Sequence, residues 1–364
     1  MVAKKVVLLL FLTTVISCVD PYQFRIEDNG PAIVIEGIIT DKSYAASLTF
    51  PSDGRFFTVR LSLTGDVTNI RPQPLRDAIV QLETEEDIYV YIETNPGVYE
   101  LTDPSFKAMP DKQYRLVVKN AEEVITSDWE RLPLNEARGM GTIDFVETEK
   151  PKYVVEAGET VIRKKLGVQV QVHVPENSAR KTFYYRWSYS PTWVYRAPLS
   201  FVTDPGHVCW VTSRTYLADY ALQLDKTGGY NKKLFFFETI RNERIFEGFS
   251  ALVSQLTLNE DYFYFLQEMK DQAESGGITG KPPFNLSTNF TSNSGHRVIG
   301  FFSVANESSV RWYFDRNKLS YNVENTLKGD CLVDYNGPPA PSCLDCRSYD
   351  SGSPSTTRPI WWTD

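Results

Sequence analysis

Cys343-Leu344-Asp345-Cys346 is the spacing in this chain that most invites a claim of chemistry. A Cys-x-x-Cys pair exchanges disulfides when its first thiol sits at a helix N-terminus, where the dipole lowers the thiol pKa. Here Pro338-Pro339-Ala340-Pro341 precedes the pair and Arg347-Ser348 opens a polar stretch, so no helix is signalled. A tetrahedral zinc site would need two close pairs of ligands, and Cys209 and Cys331 each stand alone. Structural disulfides are the better reading. Apart from Cys18, the cysteines are Cys209, Cys331, Cys343 and Cys346, an even set with three possible connectivities. The expected arrangement ties Cys209 to a cysteine of the tail and places the second bond within the tail.

The residue types that usually do acid–base work are sparse. The three histidines, His173, His207 and His296, are far apart, and none has a partner at metal spacing. No Gly-x-Ser-x-Gly elbow, His-Glu-x-x-His helix, phosphate-binding loop or dinucleotide fingerprint occurs. Acids are plentiful, yet no carboxylate pair stands out for glycoside hydrolysis. The sequence therefore names no catalytic residue, no metal ligand and no cofactor. Candidate contact residues are aromatic instead. Trp193 and Tyr195, just after Pro191, read as loop residues that could anchor a ligand or partner, whereas Trp210 beside Cys209 reads as packing on a disulfide. Trp361-Trp362 could form a sugar platform, but reads better as an apolar plug docking the tail.

The N-terminal segment decides location. After Lys4-Lys5, about eleven apolar or small residues run from Val6 to Ile16, then Ser17-Cys18. Such a run rises only about 16 Å as a helix, too little for a bilayer core. It reads as a secretory signal. The cysteine at the junction makes it resemble a bacterial lipoprotein signal, in which the cysteine thiol is acylated and the chain is cut before it. Residues 1–17 are thus the expected signal peptide, Cys18 the lipidated residue, and residues 18–30 a polar tether. Losing residues 1–17 removes Lys4 and Lys5 and no acid, moving the net charge from −8 to about −10. An acidic chain without a Lys/Arg cluster is a poor partner for nucleic acid. The lipid is the expected contact with the membrane.

The elements that must position these residues read as β. Aromatics are 13% of the chain, and Val-rich runs alternate with polar residues. Seven short strands at sandwich spacing fall between 31 and 130, including Ala32–Ile39, Thr58–Leu63, Ala78–Leu82 and Val124–Ser127. Residues 131–160, with Pro133, Gly139, Gly141, Pro151 and Gly158, read as a linker. A second β-rich domain is expected over 161–330. In it Val168, Val170, Val172 and Val174 alternate with Gln169, Gln171 and His173, placing His173 on the wet face. Thr257-Leu258-Asn259-Glu260 reads as a capping box for a helix over about 257–275, with Tyr262, Phe263 and Phe265 packing on the sheet. The Pro/Gly/Ser-rich tail, 331–364, cannot build its own core and is expected to be pinned by disulfides.

Two resemblances follow from these residues. Glu36-Gly37-Ile38-Ile39-Thr40-Asp41, Pro74-Leu75-Arg76-Asp77-Ala78-Ile79-Val80 and Pro96-Gly97-Val98-Tyr99 resemble the strands of transthyretin-like modules, which implies an Ig-like or transthyretin-like sandwich at the N-terminus. Over nearly the whole mature chain, several pieces fall in a shared order: Cys18-Val19-Asp20-Pro21-Tyr22, Val34-Ile35-Glu36-Gly37, Tyr185-Arg186-Trp187, Cys209-Trp210, Leu258–Met269, Val298-Ile299-Gly300-Phe301-Phe302-Ser303, the Cys343/Cys346 doublet and Arg358-Pro359-Ile360-Trp361-Trp362. Together they resemble the Bacteroidota outer-membrane lipoproteins of domain-of-unknown-function family 4249. That resemblance implies a surface-exposed, lipid-anchored accessory protein of a TonB-dependent receptor barrel, with a binding rather than catalytic role and an unknown ligand. The alternative is a secreted hydrolase acting on glycan or peptide.

Overall fold

The structure, a computed structural model, describes residues 31–48, 55–64, 73–134, 138–178, 180–274, 286–332 and 337–363. The signal peptide, Cys18 and the tether lie outside the described residues.

The protein is mainly β. The strands in chain order are β1 (Ile33–Thr40), β2 (Thr58–Leu63), β3 (Gln73–Pro74), β4 (Ile79–Glu83), β5 (Ile88–Val90), β6 (Ile92–Asn95), β7 (Val98–Glu100), β8 (Arg115–Asn120), β9 (Glu123–Ser127), β10 (Ile143–Glu156), β11 (Glu159–Val174), β12 (Phe183–Arg196), β13 (Val208–Thr212), β14 (Ala221–Asp225), β15 (Tyr230–Glu238), β16 (Phe249–Leu258), β17 (Phe290–Ser292), β18 (Val298–Phe314) and β19 (Ser353–Ser355). The helices are α1 (Tyr44–Leu48), α2 (Glu260–Glu274), α3 (Leu327–Leu332) and α4 (Pro341–Leu344).

One large sheet organises the molecule, in the order β19-β13-β12-β16-β18-β1-β2-β7-β6, with β14 beside β12 and β3 beside β2. A five-stranded sheet, β17-β9-β8-β4-β5, packs over its N-terminal half. There Val80, Leu82, Leu116, Val118 and Ile125 meet Ile33, Ile35, Val59, Leu61 and Tyr99. A three-stranded sheet, β10-β11-β15, covers the other half, and Val168, Val170, Val172 and Phe237 pack there on Tyr185, Trp187, Phe249 and Trp312.

The two halves are not joined by a linker alone. β1 pairs in parallel with β18 from Ile33↔Val298 to Thr40↔Ala305, and β18 continues as an antiparallel partner of β16 from Asn306 to Phe314. Both long strands therefore feed both cores: Leu256, Leu258, Phe302 and Val304 belong to one, and Ala251, Val253, Trp312 and Phe314 to the other. The layering at the N-terminus is that of a sandwich, but its sheet is completed by a strand from the far end of the chain. Gly300 in β18 has φ +125, and a Cβ there would lie 1.9 Å from the Ile35 carbonyl oxygen, so only glycine lets β1 and β18 approach this closely.

The stretch 131–160 differs from the expected linker, because β10 occupies Ile143–Glu156 and pairs with β11 along its full length. Its charged, Pro151-containing sequence is compatible with a strand because β10 is an edge, where proline removes no ladder bond that is needed. The turn is Ala157-Gly158 at φ +51 and +85, a two-residue hairpin connection between Glu156 and Glu159.

Strand β16 runs into α2 without the expected capping box. Thr257 is buried in the ladder opposite Tyr185, and Asn259 starts the helix, its carbonyl accepting from the Phe263 N–H at 3.1 Å. Glu260 and Asp261 then lie in the first turn, the favourable end of the dipole for acids. Tyr262, Phe263, Phe265 and Leu266 are buried as expected, Tyr262 and Phe265 against Phe301 at 5.3 and 5.4 Å.

Candidate functional site

Strand β12 sets up the site by simple alternation. Tyr185, Trp187 and Tyr189 point into the core against the three-stranded sheet, which sends Arg186, Ser188 and Ser190 to the opposite face of the large sheet. That is the face on which α2 lies, through Tyr184 and Phe263 at 5.2 Å. Two clefts open there, and Tyr220 lines both.

The larger, about 620 Å³, lies between β14, β15 and α2. Tyr220, Tyr264, Gln223, Gln267, Lys232 and Lys270 line it together with the carboxylates of Asp219, Asp271 and Glu274. The Tyr220 hydroxyl donates to the Leu266 carbonyl at 3.0 Å, and Lys270 Nζ donates to the Tyr220 carbonyl at 3.0 Å, so helix and loop are locked together. Lys232 Nζ donates to the Leu222 carbonyl at 2.8 Å and to Gln223 Oε1 at 3.0 Å. Burial, and next the Lys270 charge, hold its pKa below the usual lysine value. Tyr264 is 43% exposed and presents its ring at the cleft.

The smaller cleft, about 170 Å³, is lined by Arg60, Arg186 and Arg214 together with Ser188, Ser190 and Phe56. Arg186 lies over the Tyr220 ring at 4.9 Å.

The structure also makes one serine–histidine pair and one serine–glutamate–histidine cluster that spacing along the chain conceals. Ser200 Oγ lies 2.7 Å from His207 Nδ1, but the other ring nitrogen faces Arg196 at 3.4 Å. A guanidinium there opposes the imidazolium that a general base must become, so this pair lacks the acidic third member of a triad. His296 Nδ1 meets Glu123 at 3.0 Å, and both Ser292 and Ser294 donate to the same carboxylate, at 2.6 and 2.7 Å. The hydroxyls thus bond the acid and not the base, the reverse of an activated nucleophile. Burial pushes the Glu123 carboxyl up, and the bonds from Ser292, His296 and Ser294 more than offset this, leaving it below the usual range.

Half-buried Glu130 and buried Glu307 serve as struts. Glu130 accepts from Asn259 Nδ2 at 3.0 Å and Asn289 Nδ2 at 3.3 Å, and burial lifts its pKa to about 7 despite those donors. Glu307 accepts from Thr40 Oγ1 at 3.0 Å and Ser309 Oγ at 2.6 Å, where β1 meets β18. Neither lines either cleft. Among the described residues, no three His, Cys, Asp or Glu side chains are grouped as metal ligands.

A third surface feature is the ribbon formed by β10 and β11. Strand β15 pairs with β11 only from Gly167 to Val174. Beyond it the two strands continue alone to the turn. Cross-strand register places Val168, Leu166, Ile162, Tyr153 and Val155 on one face. Val168 is core, whereas Tyr153, Val155 and Ile162 are 74%, 73% and 60% exposed.

Trp193 and Tyr195 are not loop contacts. Both lie in β12, on the core side, and are 0% and 3% exposed. The strand simply continues through Pro191, and Trp193 packs on Tyr216 and Tyr349 at 5.9 and 6.1 Å, while the Tyr195 hydroxyl donates to the Ser342 carbonyl. The cysteines pair as Cys209–Cys346 and Cys331–Cys343. Cys343 does lie in a helical turn, α4, which the prolines did not suggest, but its sulfur is committed to Cys331 and not to Cys346. At the end of the chain Trp362 is buried against Tyr313 and Arg311 lies 3.3 Å over Trp361, the arrangement of a plug. Among the described residues no helix is long and apolar enough to cross a membrane.

The site is thus an open cleft on one face of a layered β protein, with an apolar ribbon standing off another sheet. The chain matches the family described as Domain of unknown function (DUF4249) over residues 19–311, and it belongs to that family. No curated protein and no solved structure matches it.

Proposed function

We propose that this protein is a lipid-anchored accessory binding protein of the outer membrane, held at the cell surface through Cys18 and working with a TonB-dependent receptor in nutrient uptake. The observation that carries the reading is the β10–β11 ribbon. A two-stranded ribbon is only marginally stable by itself, and Tyr153, Val155 and Ile162 continue a core face into solvent. Exposed apolar side chains gathered on one element mark a contact surface, and a central aromatic such as Tyr153 is a favoured anchor. The barrel is the partner that the proposed anchoring and family resemblance suggest for that surface.

The test is co-purification from solubilised outer membranes. Wild-type protein is expected to bring down a TonB-dependent barrel, and the double variant Tyr153→Asp, Ile162→Asp to lose it while melting at an unchanged temperature. Loss of the fold is not expected, because both positions are exposed. A wild-type protein that never brings down a barrel, or a variant that retains it, contradicts the docking role. Turnover of a glycan or peptide by the purified protein would favour the hydrolase alternative.

A further inference from the structure

We infer that the smaller cleft is a binding site for an anionic group, a carboxylate or phosphate carried on a ligand whose body lies in the adjoining larger cleft. The site goes beyond the docking role above and does not depend on it.

Three guanidinium groups, Arg60, Arg186 and Arg214, line a space of about 170 Å³ together with the hydroxyl-bearing Ser188 and Ser190, and no acidic residue is in that lining. Like charges gathered without a counter-ion repel one another, and a protein tolerates the arrangement where a ligand supplies the opposite charge. Among the described residues, none of the three makes an ion pair within 4.0 Å. Glu36 is the cross-strand neighbour of Arg60 in the β1–β2 ladder, yet it does not line the cleft or pair with it. Arg186 Nε is buried with no hydrogen-bond partner, an unfilled donor whose loss of water is uncompensated within the protein. Ser188 and Ser190 make no side-chain hydrogen bonds to described residues, so their hydroxyls are free to donate.

The geometry favours an oxyanion. A guanidinium offers paired N–H donors that match the two oxygens of a carboxylate or phosphate. Arg186 is fixed by stacking on Tyr220 at 4.9 Å, and β12 fixes the spacing of Arg186, Ser188 and Ser190 along one face. Tyr220 is shared with the larger cleft, where Tyr264, Gln267 and Gln223 offer a ring face and amides, Lys270 is paired with Asp219 at 3.4 Å, and Asp271 and Glu274 also line the space. Rings and amides of this kind suit a polyhydroxylated body such as a sugar.

The experiment is calorimetric titration of the full-length protein with three probes: glucuronate, glucose 6-phosphate and neutral glucose. Binding of either anionic probe at least tenfold tighter than glucose is expected, and which of the two is tighter tells carboxylate from phosphate. The affinity should fall as salt rises and drop at least fivefold in Arg214→Gln and in Arg60→Gln. Both side chains are exposed, so these variants keep the fold. Arg186→Gln should remove anion binding, and its melting temperature tells a lost site from a lost fold. Equal binding of glucose and both anions, no saturable binding of any anion, or anion binding unchanged in Arg60→Gln and Arg214→Gln overturns the proposal.

Discussion

Glu130→Gln isolates one half-buried carboxylate at the point where α2 leaves the sheet. Glu130 forms a reciprocal backbone bridge with Tyr114 at 2.7 Å, and its carboxylate accepts from Asn259, at the head of α2, and from Asn289. Burial, the largest effect, lifts its pKa from 4.5 to about 7. The two Asn donors oppose that rise, while Asp261 and Asp128 add to it. An acid whose folded pKa lies above its unfolded one holds its proton more tightly when folded. Its contribution to stability is therefore present at low pH and is lost as pH rises from about 4.5 to about 7, then stays lost. At about 1.36 kcal/mol per pH unit, that gap sets a ceiling of about 3 kcal/mol. Glutamine keeps the shape but cannot ionise. Its NH₂ replaces one acceptor, so one of the Asn Nδ2 groups loses its partner, at a cost of about 1–3 kcal/mol at every pH. The variant should thus be less stable than wild type at pH about 5, and its deficit should shrink by up to about 3 kcal/mol by pH about 8. Urea unfolding of both proteins across that range measures the difference directly. A deficit that stays constant, or widens as pH rises, would refute the reasoning.

The two disulfides should differ in worth by loop length. Cys209–Cys346 closes a separation of 137 residues and Cys331–Cys343 one of 12, which the chain-entropy argument converts to about 5 and about 3 kcal/mol. Replacing the first pair by alanines should lower the denaturant-extrapolated stability by about 2 kcal/mol more than replacing the second, and equal losses would contradict the entropic account. Trp193→Ala should cost about 3–5 kcal/mol, because the ring is fully buried among Tyr216, Tyr349 and the Arg244 guanidinium at 5.3 Å. A variant that melts like wild type but has lost a binding activity would show that this packing argument is wrong.

Local pattern carried much of the fold. The expected strands at Thr58–Leu63 and Val168–Val174 are present, and His173 is exposed as alternation required. The helix lies within the expected limits and buries the expected ring residues. What the pattern did not carry is long-range pairing. Nothing near Ile33 announces that its neighbour is Val298, and the two cores share strands for that reason. Strand β10 was hidden because an edge ribbon in water needs no apolar face on its solvent side, so Glu147, Lys150, Pro151 and Lys152 read as linker.

The site was legible in one respect that the sequence reading overlooked. The segment Tyr185–Ser190 alternates large rings with Arg186, Ser188 and Ser190, and a strand with rings on one face must present its arginine and serines on the other. The same rule places Trp193 with the rings, three steps of two from Trp187, and so assigns it to the core and not to an interface. Pro191 suggested a break there, but β12 bonds on through it to β13 and β16, so the alternation outweighs the proline. The partners of Arg186 lie beyond any local rule. Arg60 comes from β2, Arg214 and Tyr220 from the connection before β14, and only the tertiary packing of these segments brings them to a common space. A cleft assembled from three separate segments depends on the elements that hold them in place, and the Tyr220 hydroxyl, donating to the Leu266 carbonyl at 3.0 Å, ties that connection to α2.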